Sequence, residues 1–256
     1  MDDRFLDQLR SPPPAVTAIL VGYQRKMERL LLEMARLPGL SSWQGSRSLP
    51  LVLLRSFAKV LRLQDESSRF FLGHLRRCGY NASCKVGCAH CCLKMPCGVG
   101  AMELVFLYHG IWCQGDFAKT ARRFLERDQC WSRICSRRRF AAGAAAPVPD
   151  LLGLLSDYEG LLLPCPLLDD GLCRGYRYRP FACRMHFSLS PPHWCRPDHF
   201  QHHYAVCFSL EPGERVYAAL DKLDQRFGLE RREPLTEAML DLTVNVMSFQ
   251  PLRWSQ

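Results

Sequence analysis

The segment Cys84-Lys85-Val86-Gly87-Cys88-Ala89-His90-Cys91-Cys92 places four thiols within nine residues. Cysteines spaced this closely are typical of metal ligands, because a short loop with an intervening glycine folds back without strain and brings successive sulfurs to one centre. The wider stretch from Cys84 to Cys97 is polar, short and bounded by Gly79 and Pro96. It therefore predicts a loop whose shape is fixed by bound metal rather than by side-chain packing.

A second cysteine window runs from Cys165 to Cys173 and contains the dipeptide Asp170-Gly171. An Asp-Gly pair between short apolar runs favours a tight hairpin turn. We expect this hairpin to bring Cys165 and Cys173 side by side.

A further cysteine follows in the segment Arg179-Pro180-Phe181-Ala182-Cys183-Arg184. Proline can open a helix, which would leave Cys183 in the first turn, where free N–H groups and the helix dipole stabilise a thiolate. The pattern thus predicts a lowered pKa for Cys183. Arg179 and Arg184 have two interpretations: hydrogen bonds to carbonyls or carboxylates, and compensation of thiolate charge.

The two windows together resemble the YkgJ family of cysteine-cluster proteins, described as having a zinc- or iron-chelating domain. The resemblance covers roughly residues 80–185, and the matching residues are Cys84, Cys88, Cys91, Cys92, Cys165, Pro166, Leu168, Gly171, Cys173, Tyr176, Arg179, Pro180, Cys183 and Arg184. Family members tend to have another cysteine soon afterwards, which adds Cys195. One branch is similar to flagellin lysine N-methylases, which implies a metal-dependent protein-modifying enzyme as an alternative. No cofactor loop for such an enzyme is identifiable, and no catalytic residue is predicted.

The predicted metal ligands are Cys84, Cys88, Cys91, Cys92, Cys165, Cys173, Cys183 and Cys195. The seven thiols of the matched segments alone exceed the four ligands of one tetrahedral zinc ion, and so many thiolates around one divalent ion would leave a large uncompensated charge. The options are free cysteines, two ions, or an iron–sulfur cluster ligated by four cysteines with the rest nearby. An iron–sulfur cluster is the preferred cofactor, and zinc is the alternative.

The cellular compartment decides how the fourteen cysteines are interpreted. The start Met1-Asp2-Asp3-Arg4 lacks the basic and apolar regions of a secretion signal, so we expect a cytoplasmic protein whose clustered cysteines bind metal. The best apolar run, Leu104 to Trp112, is too short to span a bilayer.

The formal net charge of +9 would suit a nucleic-acid partner, but seven metal-bound thiolates would offset most of it. The basic runs Arg137-Arg138-Arg139 and Arg231-Arg232 are more typical of solvated helix faces. Nucleic acid is therefore not the expected partner, and a protein partner is left open.

Apolar residues at helical spacing predict a mainly α fold, in which helices pack around an irregular cysteine-rich metal-binding core with at most one short β-hairpin. The predicted helices cover residues 15–37, 49–77, a segment just after Gly100, residues 117–140, a segment capped by Asp198 and Gln201, and residues 214–227 and 235–247. The low-complexity stretch 141–149 predicts a linker. Three segments should form one compact unit: helices over 1–79, the cysteine-cluster domain over 80–210 with a basic insertion at about 114–149, and helices over 211–256.

Cysteines and histidines also recur every four residues around the helix predicted after Asp198. Among them, only His199 and His203 are close enough along a helix to share a metal ion. The cysteines outside the predicted ligand set are expected to be small buried hydrophobic residues: Cys78, Cys97, Cys113, Cys130, Cys135 and Cys207. Three functions stay open: a metallocluster protein with a redox, metal-handling or assembly role, an enzyme resembling the methylases, and a structural zinc module that mediates protein interaction.

Overall fold

Helices account for most of the structure, a computed structural model that describes residues 3–142, 150–229 and 234–255. The prediction of a mainly α fold is therefore confirmed. The helices are α1 (Asp3–Arg10), α2 (Pro14–Ala35), α3 (Trp43–Ser46), α4 (Leu51–Arg77), α5 (Ala101–Cys113), α6 (Phe117–Ala142), α7 (Leu151–Gly160), α8 (Glu214–Asp224) and α9 (Leu235–Asp241), the last continuing as a π-helical turn over Leu242–Val246.

Prolines mark the starts of the first two long helices. Pro14 occupies the first turn of α2, where a missing N–H breaks no helical hydrogen bond and the fixed φ suits the helix. Pro50 stands directly before α4. Helix α2 buries Leu31 and packs against both α4 and α8, while α4 buries Phe57. Both helices agree with the predicted ranges.

Helix α5 lies in the main hydrophobic core. Its residues from Met102 to Tyr108 are buried without interruption, so it packs on all sides rather than along one stripe. The Glu103 carboxylate accepts a hydrogen bond from the Gly100 N–H at 2.8 Å, which confirms the predicted start of this helix. None of the helices in the described residues is both long enough and apolar enough to cross a membrane.

The main core draws side chains from all three segments of the chain. Leu53, Leu107 and Leu220 belong to one buried cluster. The indole N–H of Trp43 donates to the carbonyl oxygen of Phe227 at 3.0 Å, which joins α3 to the turn that follows α8.

Helices α6 and α7 enclose a smaller cluster. Trp131 packs edge-on against Tyr158, with ring centroids 6.1 Å apart. The Asp150 carboxylate caps α7 by accepting hydrogen bonds from backbone N–H groups of its first turn. Of the predicted linker, residues 141 and 142 end α6, and residues 143–149 lie outside the described residues.

Six short strands form three pairs in the described residues: β1 (Ser48–Pro50), β2 (Leu168–Asp169), β3 (Leu172–Cys173), β4 (His186–Ser188), β5 (Cys207–Ser209) and β6 (Arg253–Ser255). The antiparallel β2–β3 pair confirms the hairpin predicted at Asp170-Gly171, where both residues have positive φ. Two further strand pairs were not predicted: β4 pairs antiparallel with β5 across a long connection, and β1 pairs in parallel with β6. The two strands of the β1–β6 pair are far apart along the chain, so no local pattern predicts this pair.

The segment after Asp198 is not the helix that was predicted. It forms turns, including a 3-10 turn over His202–Tyr204. The carboxylate of Asp198 pairs with Arg196 at 2.6 Å, and the N–H of Gln201 donates to a ring nitrogen of His199 at 3.1 Å. The groups expected to form the helix cap are thus engaged in other contacts.

Candidate metal centre

A backbone hydrogen bond joins the two cysteine windows. The N–H of Cys165 donates to the carbonyl oxygen of Cys92 at 2.7 Å. Cys92 lies in a 3-10 turn over His90–Leu93. Cys165 and Cys173 pack against the main core, with Cys173 in the β2–β3 hairpin. The two windows therefore meet at the edge of that core.

A turn that is hydrogen-bonded to α5 contains Cys183. Phe181–Cys183 is a single 3-10 turn, shorter than the helix that Pro180 was expected to open. The N–H of Phe181 donates to Oε1 of Glu103 at 2.6 Å. Because the other carboxylate oxygen of Glu103 caps α5, this side chain links the helix to the turn. The sequence pattern predicted only the capping contact.

Five thiols influence one another's ionisation, and we call them the inner thiols: Cys91, Cys92, Cys165, Cys173 and Cys183. They come from three chain segments, namely the first window, the hairpin window and the turn after Pro180. Cys91 is exposed, and the other four are partly buried. The structure thus brings five of the eight predicted ligands into one neighbourhood.

Burial keeps most of the inner thiols protonated. It raises the pKa of Cys165 to about 12 and is also the largest cause of the raised pKa of Cys173 and Cys183. The predicted lowering of the Cys183 pKa is therefore wrong, since burial and neighbouring thiols outweigh any effect of a one-turn helix. Cys91 differs, because a hydrogen bond from the Cys92 thiol lowers its pKa to about 6 and raises that of Cys92.

Arg184 has a structural role in the turn that holds Cys183. Its side chain is buried, pairs with Asp65 at 2.5 Å, and donates to the carbonyl oxygens of Arg179 at 2.7 Å and Arg177 at 2.8 Å. These contacts match the first interpretation of the two arginines, in which hydrogen bonds to carbonyls and carboxylates fix the backbone.

Arg179 matches the second interpretation. Its guanidinium lies 4.1 Å from the ring centre of Tyr176, and its charge favours the thiolate forms of Cys91, Cys173 and Cys183. Its Nε atom is buried and has no hydrogen-bond partner among the described residues. A buried donor without an acceptor is unfavourable by about 1–3 kcal/mol, and an acceptor placed at this Nε would relieve that cost.

Four other thiols form a second group, which we call the outer thiols: Cys84, Cys88, Cys195 and Cys207. The Sγ atoms of Cys195 and Cys207 lie 3.9 Å apart. Burial, with added repulsion from Cys88, Cys91 and Cys195, raises the pKa of Cys84 to about 11. Cys91 thus lies within reach of both groups.

The cysteines outside the predicted ligand set were expected to be buried, and only some of them are. Cys78, Cys113 and Cys207 are exposed, so the prediction that they are buried is wrong. Cys97, Cys130 and Cys135 are partly buried in the cluster between α6 and α7.

His199 and His203 do not share a helix face, because the helix is absent. The His199 ring instead lies 4.9 Å from the His193 ring. As the side chains stand, residues 3–142, 150–229 and 234–255 contain no group of three or more histidine, cysteine, aspartate or glutamate side chains arranged to hold a metal ion.

The candidate site therefore contains the inner thiols, which come from distant segments of the chain. Beside them lies Arg179, whose buried Nε–H has no hydrogen-bond acceptor among the described residues. No family model, curated protein or solved structure matches this chain. Membership of the YkgJ family stays a prediction from the cysteine spacing.

Proposed function

We propose that this chain binds an iron–sulfur cluster through four of its five inner thiols and has a redox, metal-handling or assembly role. The observation that supports this most directly is the gathering of five thiols from three segments beside Arg179. Cysteine thiolates are the usual protein ligands of iron–sulfur clusters. The cysteine order that resembles the YkgJ family supports the same proposal.

Charge compensation favours metal at this position. Without a cation, burial keeps thiols such as Cys165 protonated. A bound metal reverses this preference, because coordination releases the thiol proton and replaces it with a stronger positive charge. The buried Nε of Arg179, which has no partner in the part of the chain described, can donate to a cluster sulfur or a ligating thiolate.

An iron–sulfur cluster can be bound by thiols that do not converge on a single ion. These thiols do not form a ligand set for one ion as they stand. A cluster binds each cysteine through a different iron atom, so its ligands lie farther apart than those of tetrahedral zinc. Five candidates for four positions also leave one free thiol nearby. A cytoplasmic location belongs to the proposal, because these thiols must stay reduced.

The test is metal analysis of the full chain purified without oxygen. We expect a brown protein that contains iron and acid-labile sulfide. Of the five single Cys→Ser variants of the inner thiols, four should each lose most of the iron, and the fifth should retain it. Cys78→Ser is the matched control, because Cys78 is an exposed cysteine at the end of α4.

Circular dichroism of each variant separates metal loss from failure to fold. A colourless protein with zinc at the inner thiols would replace the iron–sulfur cluster with the zinc alternative. A folded, reduced protein that binds neither metal would overturn the proposal.

A further inference from the structure

A surface cleft lies beside the parallel β1–β6 pair. Its walls come from the end of α3, from the segment that follows the π-helical turn, and from β6, and its volume is about 370 Å³. Pockets that bind small molecules usually have volumes of about 300–1,000 Å³. The described residues that line the cleft include neither the inner nor the outer thiols, so it is separate from the candidate metal centre.

Arg47 is held in position in this cleft. Its Nε–H donates to the carbonyl oxygen of Val246 at 3.3 Å, and its Nη2 donates to the hydroxyl oxygen of Ser248 at 2.8 Å. These contacts use two of the five N–H donors of a guanidinium group. The remaining donors have no acceptor in the part of the chain that the structure describes, although the side chain is already fixed.

Arg253 contributes a second guanidinium group to the same cleft. Its backbone N–H donates to the carbonyl oxygen of Arg47 at 2.9 Å, so the two residues are neighbours across the start of the β1–β6 pair. Within residues 3–142, 150–229 and 234–255, neither arginine forms an ion pair with a carboxylate. Two neighbouring positive charges repel each other, and an anion bound between them would offset this repulsion.

The backbone around the cleft is fixed before any ligand binds. The hydroxyl of the buried Tyr108 donates to the carbonyl oxygen of Gln250 at 2.7 Å, which ties one wall of the cleft to the main core. Arg47 and Ser248 have φ angles of +50° and +46°. Residues other than glycine rarely adopt this conformation, and backbone strain of this kind is concentrated at functional sites. A preformed site needs little ordering when it binds its ligand.

From these observations we propose that the cleft binds the phosphate group of a small phosphorylated molecule between Arg47 and Arg253. Guanidinium groups match phosphate oxygens with paired hydrogen bonds. A phosphate monoester carries about 1.5 to 2 negative charges at pH 7, which two arginines can balance. The Ser248 hydroxyl accepts from Arg47 and can donate its own proton to a phosphate oxygen. The cleft is larger than one phosphate group, so it has room for the rest of the molecule.

Isothermal titration calorimetry of the full chain with inorganic phosphate and with ribose 5-phosphate tests this site. We expect saturable binding of both compounds, with ribose 5-phosphate at least as tight and ribose alone not bound. Arg253→Gln should weaken the binding of each phosphate compound by about 10- to 100-fold, because it removes charge-assisted hydrogen bonds.

Arg253→Gln is also the variant that best preserves the fold. Its side chain is exposed and forms no hydrogen bond or ion pair with the described residues. Arg47→Gln should weaken binding too, but it also loses the contacts to Val246 and Ser248, so its fold must be checked by circular dichroism. Arg55→Gln is the matched control, because Arg55 is an exposed arginine on α4, and it should bind phosphate as the wild type does.

Three results would overturn the phosphate site. One is the absence of saturable binding of phosphate and ribose 5-phosphate by the folded wild type. Another is an unchanged affinity in Arg253→Gln, or an equal loss in Arg55→Gln, which would mean that phosphate responds only to the overall positive charge. The third is binding of a phosphoserine peptide without binding of ribose 5-phosphate, which would assign the cleft to a phosphorylated protein. The site goes beyond the iron–sulfur proposal, and none of these results bears on that proposal.

Discussion

Replacing Glu103 with glutamine removes one hydrogen-bond acceptor from the link between α5 and the turn that holds Cys183. Glu103 is 2% exposed, and its carboxylate accepts hydrogen bonds from Gly100 at 2.8 Å and Phe181 at 2.6 Å. Glutamine has nearly the same shape but only one acceptor oxygen. One buried N–H therefore loses its partner, which lowers the free energy of unfolding by about 1–3 kcal/mol.

The pH dependence of that loss is the stronger test. Burial raises the pKa of Glu103 from 4.5 to about 7, and the nearby Asp224 adds to the effect. A carboxyl whose pKa is higher in the folded chain contributes stability that is complete below its unfolded pKa and is lost as pH rises through its folded pKa. The change from 4.5 to about 7 corresponds to about 3 kcal/mol. Because glutamine does not titrate, the deficit of Glu103→Gln should be largest near pH 4.5 and should shrink or reverse by pH 8.

Urea unfolding followed by circular dichroism measures this deficit at a series of pH values. Groups that titrate in both proteins cancel in the difference. Glu66→Gln is the matched control, since Glu66 is an exposed carboxyl on α4. A deficit that stays constant from pH 4.5 to pH 8 would refute the inference that burial of Glu103 controls its ionisation.

The same unfolding assay tests a close contact in the core, where a Cβ atom on Gly110 would collide with the Tyr178 ring. Gly110→Ala should lower the free energy of unfolding by about 1–3 kcal/mol. Gly22 has nothing within 4 Å of the position of an added Cβ, so Gly22→Ala should raise the free energy of unfolding by up to about 1 kcal/mol. Equal effects of the two substitutions would contradict the packing argument. Arg179→Gln should weaken iron binding about 10- to 100-fold, measured by competition with a chelator, and unchanged affinity would show that its charge is not used. Arg184→Leu should instead reduce stability by about 1–3 kcal/mol, because it leaves the carbonyl oxygens of Arg177 and Arg179 without their donor, and a fully stable variant would contradict its structural role.

The helices predicted correctly are those whose limits depend on neighbouring residues. Pro14 and Pro50 define the starts of α2 and α4, and the cap formed by Glu103 defines the start of α5. The hairpin at Asp170-Gly171 has the same local origin, because these residues adopt positive φ readily. The helix predicted after Asp198 is absent, which shows the limit of local patterns. The Asp198 carboxylate pairs with Arg196, and the capping pattern does not take that competing partner into account.

The division of the thiols into inner and outer groups could not be predicted in the same way. The spacing predicted that the four thiols of the first window share one centre, whereas the structure places Cys91 beside Cys92 in one group and Cys84 near Cys88 in the other. The cysteine spacing contained no information on which of the cysteine-containing segments lie next to one another in the folded chain. Cys207 joined the outer group because β5 pairs with β4, and that pairing depends on packing between distant segments.

Local chain chemistry was therefore sufficient for the helix limits, the hairpin and the expectation of clustered sulfur donors, because each depends on residues within a few turns of one another. The positions of the thiols relative to one another, and the raised pKa of Cys183, depend on long-range packing. Burial and charge at a residue are set by the segments that surround it in space, and those segments are far apart along the chain.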